Sequence, residues 1–164
     1  MAVIPIVQGK DNEILRVKSK EIKKINKKEF KKLFEEMRET MFKANGIGLA
    51  APQIGLNIRV CVCLFNSGTP NEIIVDMINP KIIRFSDEKQ IEEEGCLSLP
   101  NKFGKVERHE SITVKFQDLK GNDQVLTLKG LDSTIVQHEI DHLDGILFID
   151  RVKNSVPAME QIKQ

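Results

Sequence analysis

Two histidines and a glutamate in the stretch QHEIDHLDG, Gln137 to Gly145, have the residue types and the spacing of a catalytic metal site. On a helix, His138 and His142 are four residues apart and share one face, so both imidazoles can bind one ion. Glu139 follows the first histidine, where a carboxylate can handle the proton of a water that the ion activates. This H-E-x-x-H pattern predicts metal-dependent hydrolysis and requires a third ligand from another part of the chain.

The sequence offers few candidates for that third ligand. The longer pattern H-E-x-x-H-x-x-G-x-x-H fails, because Phe148 stands where its last histidine would be. Glu160, the only glutamate after His142, lies close to the chain end, which is a poor place for a ligand. His109, in the charged segment R-H-E, is expected to be an exposed surface residue. Cys96, in the stretch EEEGCLSLP, remains the good candidate, although a cysteine there would otherwise be expected in the core.

A second unusual stretch is the glycine-rich GIGLAAPQ, Gly46 to Gln53. It lacks the G-x-G-x-x-G and G-K-[ST] spacings of phosphate-binding loops, which argues against a nucleotide site. The sequence alone leaves two interpretations open, a plain turn between a helix and a strand, or a bare backbone that a ligand can approach closely. Gln53 would supply a carboxamide donor at the end of this stretch.

Hydrophobic periodicity predicts the elements that must position these residues. From about Lys27 to Lys43, apolar residues recur at a spacing of three and four, which indicates an amphipathic helix whose many lysines form a solvated face. The apolar run from Ile58 to Phe65 predicts a buried strand, with Cys61 and Cys63 on one face as core residues.

The H-E-x-x-H helix is apolar on most of its sides, so we expect it to be buried and central, with Asp132 or Ser133 as its N-cap. The predicted fold class is α+β, with mostly antiparallel strands packed around this helix and the amphipathic N-terminal helix outside. The further predicted elements are a helical turn near Asn12–Leu15, strands at Ile73–Ile78 and Lys81–Phe85 broken at Asn79-Pro80, a polar turn at 86–90, an irregular loop at Glu92–Pro100, an antiparallel hairpin with arms Val106–Asp118 and Gln124–Lys129, and a short extended segment at Ile146–Ile149.

The composition sets the broad class. The 164 residues suffice for one domain, predicted as a single catalytic domain at 1–150 with a short polar tail at 151–164. The net charge of +1 gives no general attraction to nucleic acid or membrane. No apolar run approaches the roughly 20 residues of a membrane span, and the N-terminus lacks a secretion signal, so a cytoplasmic location is expected. Three cysteines make a disulfide framework unlikely.

Taken in order, GIGLAAPQ, EGCLSLP and QHEIDHLDG resemble the three signature motifs of peptide deformylase, and the resemblance covers essentially the whole chain. It implies an enzyme that removes the formyl group from the N-terminal formylmethionine of newly made proteins. It also implies that Cys96, His138 and His142 are the metal ligands and that Glu139 is the general base and acid.

The resemblance extends these expectations to the reaction and to the ion. It implies that the side chain of Gln53 and the backbone N–H of Leu97 form an oxyanion hole for the tetrahedral intermediate. A thiolate and two imidazoles suit Fe²⁺, Zn²⁺, Ni²⁺ or Co²⁺, and ligand identity does not choose among them. The resemblance implies Fe²⁺ as the physiological ion, with sensitivity to oxygen as a consequence.

The expected substrate is the extended end of an N-formylmethionyl peptide of a nascent chain. Such a strand-like peptide could pair with exposed backbone at Ile47-Gly48 and near Gly95, as in the family pattern. By position, Ile47, Leu131 and Ile135 are the candidates for an apolar pocket that takes the methionine side chain.

One departure and one pairing are specific to this chain. Many family members carry an arginine a few residues after the cysteine motif, whereas this sequence has Phe103 near that position. This puts the substrate contacts beyond the first residue in doubt. Glu94 and Arg108 are candidates for a buried supporting pair behind the metal loop.

Two other functions remain as alternatives. One is a metallopeptidase that cuts internal peptide bonds, which needs a third histidine or a glutamate that the sequence does not place well. The other is a non-catalytic, metal-stabilised peptide-binding module, in which Glu139 and Gln53 would be dispensable. A transient ribosome contact is conceivable for an enzyme of nascent chains, but the mildly basic tail gives it little support.

Overall fold

The structure, a computed structural model, describes residues 2–152. Two antiparallel sheets pack against one long buried helix, and a second, amphipathic helix covers the other side of the larger sheet. This is the predicted α+β arrangement. The helices are α1 (Lys27–Lys43) and α2 (Gly130–Leu143), and the strands are β1 (Gly48–Ala50), β2 (Val60–Phe65), β3 (Ile73–Phe85), β4 (Lys89–Cys96), β5 (Leu99–His109), β6 (Ser111–Gln117) and β7 (Asp123–Lys129).

The two sheets differ in size and in what they carry. The larger sheet has the strand order β1-β2-β3-β6-β7, and the smaller is the hairpin of β4 and β5. Strand β2 is buried along its whole length, and Cys61 and Cys63 lie in the core as expected. Neither α-helix within residues 2–152 is long and apolar enough to cross a bilayer.

Helix α1 has the bounds that the periodicity predicts. The side chain of Asn26 caps its N-terminus by accepting a hydrogen bond from the Glu29 N–H at 3.3 Å. Phe34, Met37 and Met41 on its inner face are buried against the apolar side chains of β1 and β2. This packing fixes the start of the glycine-rich stretch that follows the helix.

Helix α2 is buried and central, but its N-terminus differs from the prediction. The helix begins at Gly130 with Lys129 in the N-cap position, so neither Asp132 nor Ser133 is the cap. Their side chains serve other contacts instead. Asp132 accepts from the backbone N–H of Asn66, and the hydroxyl of Ser133 donates to the carbonyl of His109 at 2.9 Å.

The predicted break at Asn79-Pro80 is wrong, because β3 runs through it as one strand. The register shifts between Ile78 and Lys81, and Asn79 has a φ of +53°. The strand therefore absorbs the proline as a bulge. The side chain of Asn79 bonds both the N–H and the carbonyl of Ile22 at 2.8 Å, which fixes this bulge against the segment before α1.

Other element boundaries also differ from the prediction. The stretch expected as an irregular loop, Glu92–Pro100, lies in the β4–β5 hairpin, with a tight turn at Leu97 and Ser98. The residues from Val106 to His109 belong to β5 and not to the β6–β7 hairpin. A 3-10 helix, Phe148–Arg151, replaces the extended segment expected after α2. Most of the predicted polar tail, residues 153–164, lies outside the described residues.

Candidate active site

The structure brings the three predicted metal ligands together from two elements. Cys96 is the last residue of β4, and His138 and His142 are one turn apart on α2. One ligand atom from each lies within 4.8 Å of the other two. The sulfur of Cys96 is 3.2 Å from Nε2 of His142. The group therefore has the size of a single-ion site.

These residues also fit a divalent ion chemically. Ligands at 2.0–2.3 Å from one ion in a tetrahedral arrangement lie roughly 3.5 Å apart, which is close to the spacing seen here. Nδ1 of His138 is 2.8 Å from Oε1 of Glu94, so this ring can present Nε2 to an ion. One thiolate and two imidazoles are ligands that transition metals prefer, whereas Mg²⁺ and Ca²⁺ prefer oxygen.

A buried network of charges fixes His138 from behind. Arg108 donates to both carboxylate oxygens of Glu94 at 2.9 Å and to Asp141 at 2.6 Å. Arg151 donates twice to the same Asp141 from the other side, at 2.6 and 2.9 Å. The expected pair of Glu94 and Arg108 is present, and the structure extends it to two residues that sequence reasoning missed.

The protonation of the two histidines differs. Burial lowers the pKa of His138, but hydrogen bonds with Cys96 and Glu94 outweigh burial and raise that pKa to about 10. Burial, with the positive charges of His138 and Arg108, holds the pKa of His142 well below its usual range, so this imidazole is neutral. Burial raises the pKa of Glu94, yet hydrogen bonds from Arg108 and His138 bring it down to about 2.

Glu139 lies beside the ligands with one oxygen unpartnered. Its side chain is buried, and within the described residues its Oε2 has no hydrogen-bond partner. Burial raises the pKa of Glu139 to about 7 against the opposing charge of His138. Gly48 of β1 lies directly over this carboxylate, and a Cβ there would be 2.9 Å from Glu139 Cδ. The absence of a side chain at Gly48 therefore makes room for Glu139.

Gln53 reaches the same place from the 3-10 helix Ala51–Ile54. Its Oε1 accepts from the Ala50 N–H at 2.9 Å, which turns its amide nitrogen toward Ser98 at 3.2 Å and the sulfur of Cys96 at 3.7 Å. Leu97 lies in the turn directly after Cys96. Both residues thus lie next to the group of ligands.

One cleft of about 460 Å³ connects these residues. It is lined by Cys96, His138 and Glu139, and by all five predicted substrate-contact residues, Ile47, Gly48, Gly95, Leu131 and Ile135. A larger polar cleft of about 990 Å³ lies on another face, and Cys96, His138, His142 and Glu139 do not line it. We therefore place the candidate active site in the smaller cleft.

His109 has a different place from the one expected. It is half-buried at the end of β5, where Nδ1 lies 2.7 Å from the Ser86 carbonyl and its backbone N–H donates to Gln137 at 3.1 Å. It is not one of the three clustered ligands. The expectation of a surface histidine is wrong, because this residue links β5 to the residue that precedes His138 on α2.

The comparisons with known proteins agree with this geometry. The family model described as "Polypeptide deformylase" matches residues 3–158. A peptide deformylase from Synechocystis sp. is 44% identical over 130 residues, which are 79% of this chain and 70% of that protein.

Solved structures of peptide deformylases have the same fold. A probable peptide deformylase from Synechococcus phage S-SSM7 is 44% identical with a TM-score of 0.84, over 90% of this chain and 99% of that one. The class I type b peptide deformylase from Acinetobacter baumannii, bound to Met-Ala-Ser, is 37% identical with a TM-score of 0.85, over 92% and 99% of the two chains. The chain therefore belongs to the polypeptide deformylase family.

Proposed function

We propose that the residues of the smaller cleft and its metal cluster each have a separate role in the deformylation of N-formylmethionyl peptides. As a member of the deformylase family, the chain removes the formyl group from the N-terminal formylmethionine of new proteins and releases formate. The observation that carries the proposed roles is the cluster of Cys96, His138 and His142 beside a cleft that Cys96, His138, Glu139 and Gln53 line.

Cys96, His138 and His142 hold the divalent ion in this proposal. A formamide carbonyl is a weak electrophile, and an ion bound by these residues supplies Lewis-acid polarisation and a lowered pKa for the attacking water. The charge network through Glu94 and Arg108 keeps the ring of His138 oriented for this task.

Glu139 acts as the general base and then as the general acid. Its unpartnered oxygen is buried next to the ligands, where it can take a proton from the attacking water and deliver it to the leaving nitrogen. The leaving amine needs that proton, because an amide anion is a very poor leaving group. Such proton handling contributes about 10²–10⁴-fold to the rate.

Gln53 and Leu97 stabilise the negative charge that develops on the formyl oxygen. The bond from the Ala50 N–H to Gln53 Oε1 fixes the orientation of the carboxamide, so its amide nitrogen faces Cys96 and Ser98 at the edge of the reaction site. The backbone N–H of Leu97 is the second donor. Removal of one such donor typically costs about 10²–10³-fold in kcat.

The peptide enters as an extended strand. Ile47, Gly48 and Gly95 offer backbone for strand pairing, while Ile135 and Leu131 line the pocket for the methionine side chain. The Acinetobacter relative has been solved with the tripeptide Met-Ala-Ser bound. We expect the same kind of tripeptide, the deformylated product, to occupy this cleft.

Fe²⁺ is the ion that we propose for the protein in its cytoplasmic setting. The thiolate ligand makes such a site sensitive to oxygen, because Cys96 can be oxidised once the iron is. Purification without oxygen should therefore give a protein with iron bound, whereas exposure to air should lower the iron content and add oxygen mass at Cys96. Metal analysis and mass spectrometry of the two preparations test this choice.

The decisive experiment is formate release from formyl-Met-Ala-Ser by protein loaded with Fe²⁺ without oxygen. Wild type should release formate rapidly, and E139Q should lose about 10²–10⁴-fold in kcat while it keeps its metal. Cleavage of internal peptide bonds, or full activity in E139Q, would favour the peptidase alternative. Peptide binding without any hydrolysis would favour the binding module.

A transient contact with the ribosome is the finer proposal about partners. The segment before and within the first turns of α1 carries eight exposed lysines, and none of them makes an ion pair within residues 2–152. Such a surface suits the phosphates of ribosomal RNA. The eight lysines are Lys18, Lys20, Lys23, Lys24, Lys27, Lys28, Lys31 and Lys32. Co-sedimentation with ribosomes should occur at low salt and be lost when four of the eight are changed to glutamate.

A further inference from the structure

Phe103 is an exposed aromatic side chain on the wall of the catalytic cleft. It is 43% exposed, and it is the only phenylalanine that lines this cleft among the described residues. An exposed phenylalanine on a cleft wall offers apolar area to whatever lies beside it. Phe103 lies on β5, whereas the proposed metal ligands lie on β4 and α2, and the proposed mechanism gives Phe103 no role.

The ring of Phe103 is held over the backbone where substrate is proposed to pair. Phe103 is the cross-strand partner of Gly95, and a Cβ at Gly95 would lie 2.8 Å from its Cε1. The ring therefore lies across Gly95 in the space that any other side chain would fill. This packing fixes the position of the ring next to the strand segment that ends in Cys96.

Ile47, Leu131 and Pro100 are further exposed apolar residues of the cleft, the first two at 36% and 53% exposure. Glu92 and Lys102 also line it, so charges of both signs are present. A peptide whose methionine points at Ile135 passes Gly95 with its following residues. Alternate side chains of an extended peptide point to opposite sides, so one of the next two residues faces the ring.

We propose that Phe103 makes this enzyme selective for an apolar side chain at the second or third residue of its formyl-Met substrate. This inference rests on the proposed function, because it assigns a specificity contact in the same cleft. An apolar side chain gains contact area against the ring, whereas a carboxylate there loses water without gaining a partner. Contacts of this kind give about 10-fold to 200-fold discrimination.

The test is a set of formyl-Met-X-Ser and formyl-Met-Ser-X peptides, with X as Leu, Ser, Asp or Lys, assayed by formate release. Wild type should show at least tenfold higher kcat/KM for Leu than for Asp in one of the two series, mainly through KM. F103A should reduce that ratio to within about threefold, F103L should keep most of it, and F103R should favour Asp.

I91A is the matched control, since Ile91 is 53% exposed on β4 but does not line the cleft. It should keep the wild-type preference, and thermal melts should show that each variant is folded. Equal rates for all X in wild type, or a preference that survives in F103A, would overturn the proposal. No formate from any peptide would instead mean that the proposed function itself fails.

Discussion

Gly48 gives the sharpest test of how the fold places Glu139, the proposed general base. A Cβ at this position would lie 2.9 Å from Cδ and 3.0 Å from Cγ of Glu139, and closer still to Oε1, whereas ordinary contacts are 3.4–4 Å. The backbone of Gly48 is not in the left-handed region, so alanine adds no backbone strain there. G48A should fit by moving the carboxylate of Glu139 by about 0.5–1 Å, because the end of a side chain shifts more easily than the backbone of β1.

A displacement of this size should greatly slow the reaction. A misplacement of about 1 Å in a catalytic group can cost about 10²-fold, which corresponds to about 2.7 kcal/mol of transition-state stabilisation. We expect this loss in kcat for formyl-Met-Ala-Ser, with the bound metal unchanged. If the methyl group only obstructed the peptide, KM would rise and kcat would stay near wild type.

Two further variants make the reasoning refutable. At Gly46, two residues earlier, the one close contact of a Cβ among the three nearest atoms would be the terminal Cδ1 of Leu97 at 2.7 Å, and the other two, at 3.5 Å, are ordinary contacts. G46A should therefore lose only a few-fold in kcat. In G48A/E139D the shorter acid side chain removes the closest overlap, the one with Oε1, so the combined loss should be smaller than the product of the two single losses. A folded, metal-loaded G48A with wild-type kcat would refute the argument.

Three other predictions follow from the site and its surroundings. R108A should weaken metal binding about 10-fold to 100-fold in a competition titration and lower the melting temperature. The buried Glu94 would lose both of its bonds from Arg108, and the buried Asp141 would lose one of its three arginine bonds. R151A, at the exposed end of the network, should do less, and unchanged metal affinity in R108A would contradict the supporting role. I135A should lower kcat/KM for formyl-Met peptides more than for formyl-Ala peptides, because only the methionine side chain is long enough to contact the part of Ile135 that is lost. Equal losses for the two peptides in the folded variant would show that Ile135 does not line the methionine pocket. Burial raises the pKa of Asp150, but hydrogen bonds from Arg16 and a backbone N–H lower that pKa below its usual range. A carboxylate with a lowered folded-state pKa contributes stability above about pH 4 and loses it at lower pH. The difference in melting temperature between wild type and D150N should therefore be constant from pH 8 to 5 and shrink below pH 4.

The parts of the fold that the sequence predicted well are those with a strong local pattern. Helix α1 has the predicted bounds, because its apolar spacing and the capping side chain of Asn26 are both local. The same holds for the face shared by His138 and His142, which depends only on the helical repeat. Elimination and the family resemblance indicate Cys96, whereas its approach to α2 depends on the β4–β5 hairpin, which no local pattern predicts.

The errors arose where distant contacts outweigh local preference. Asn79-Pro80 has the residue types of a strand break, yet Ile22 lies far away in sequence and bonds Asn79 strongly enough to hold a bulge within a continuous strand. Asp132 and Ser133 are good capping residues by type, but Asn66 and His109 engage their side chains instead. No local signal in the sequence indicates either set of partners.

Gln137 and Asp141, each directly before a histidine of QHEIDHLDG, explain how Cys96 is aligned with His138 and His142. Gln137 and Asp141 are four residues apart on α2, so they form a row next to the row of His138 and His142. Gln137 bonds both the N–H and the carbonyl of His109 on β5, at 3.1 and 2.8 Å, and Asp141 receives a bond from Arg108 on the same strand. Strand β5 in turn pairs with β4, which ends at Cys96. One row of the helix therefore carries the proposed ligands His138 and His142, while the adjacent row fixes the helix to the hairpin that carries Cys96. A substitution in the second row should disturb the spacing of these three residues without removing any of them.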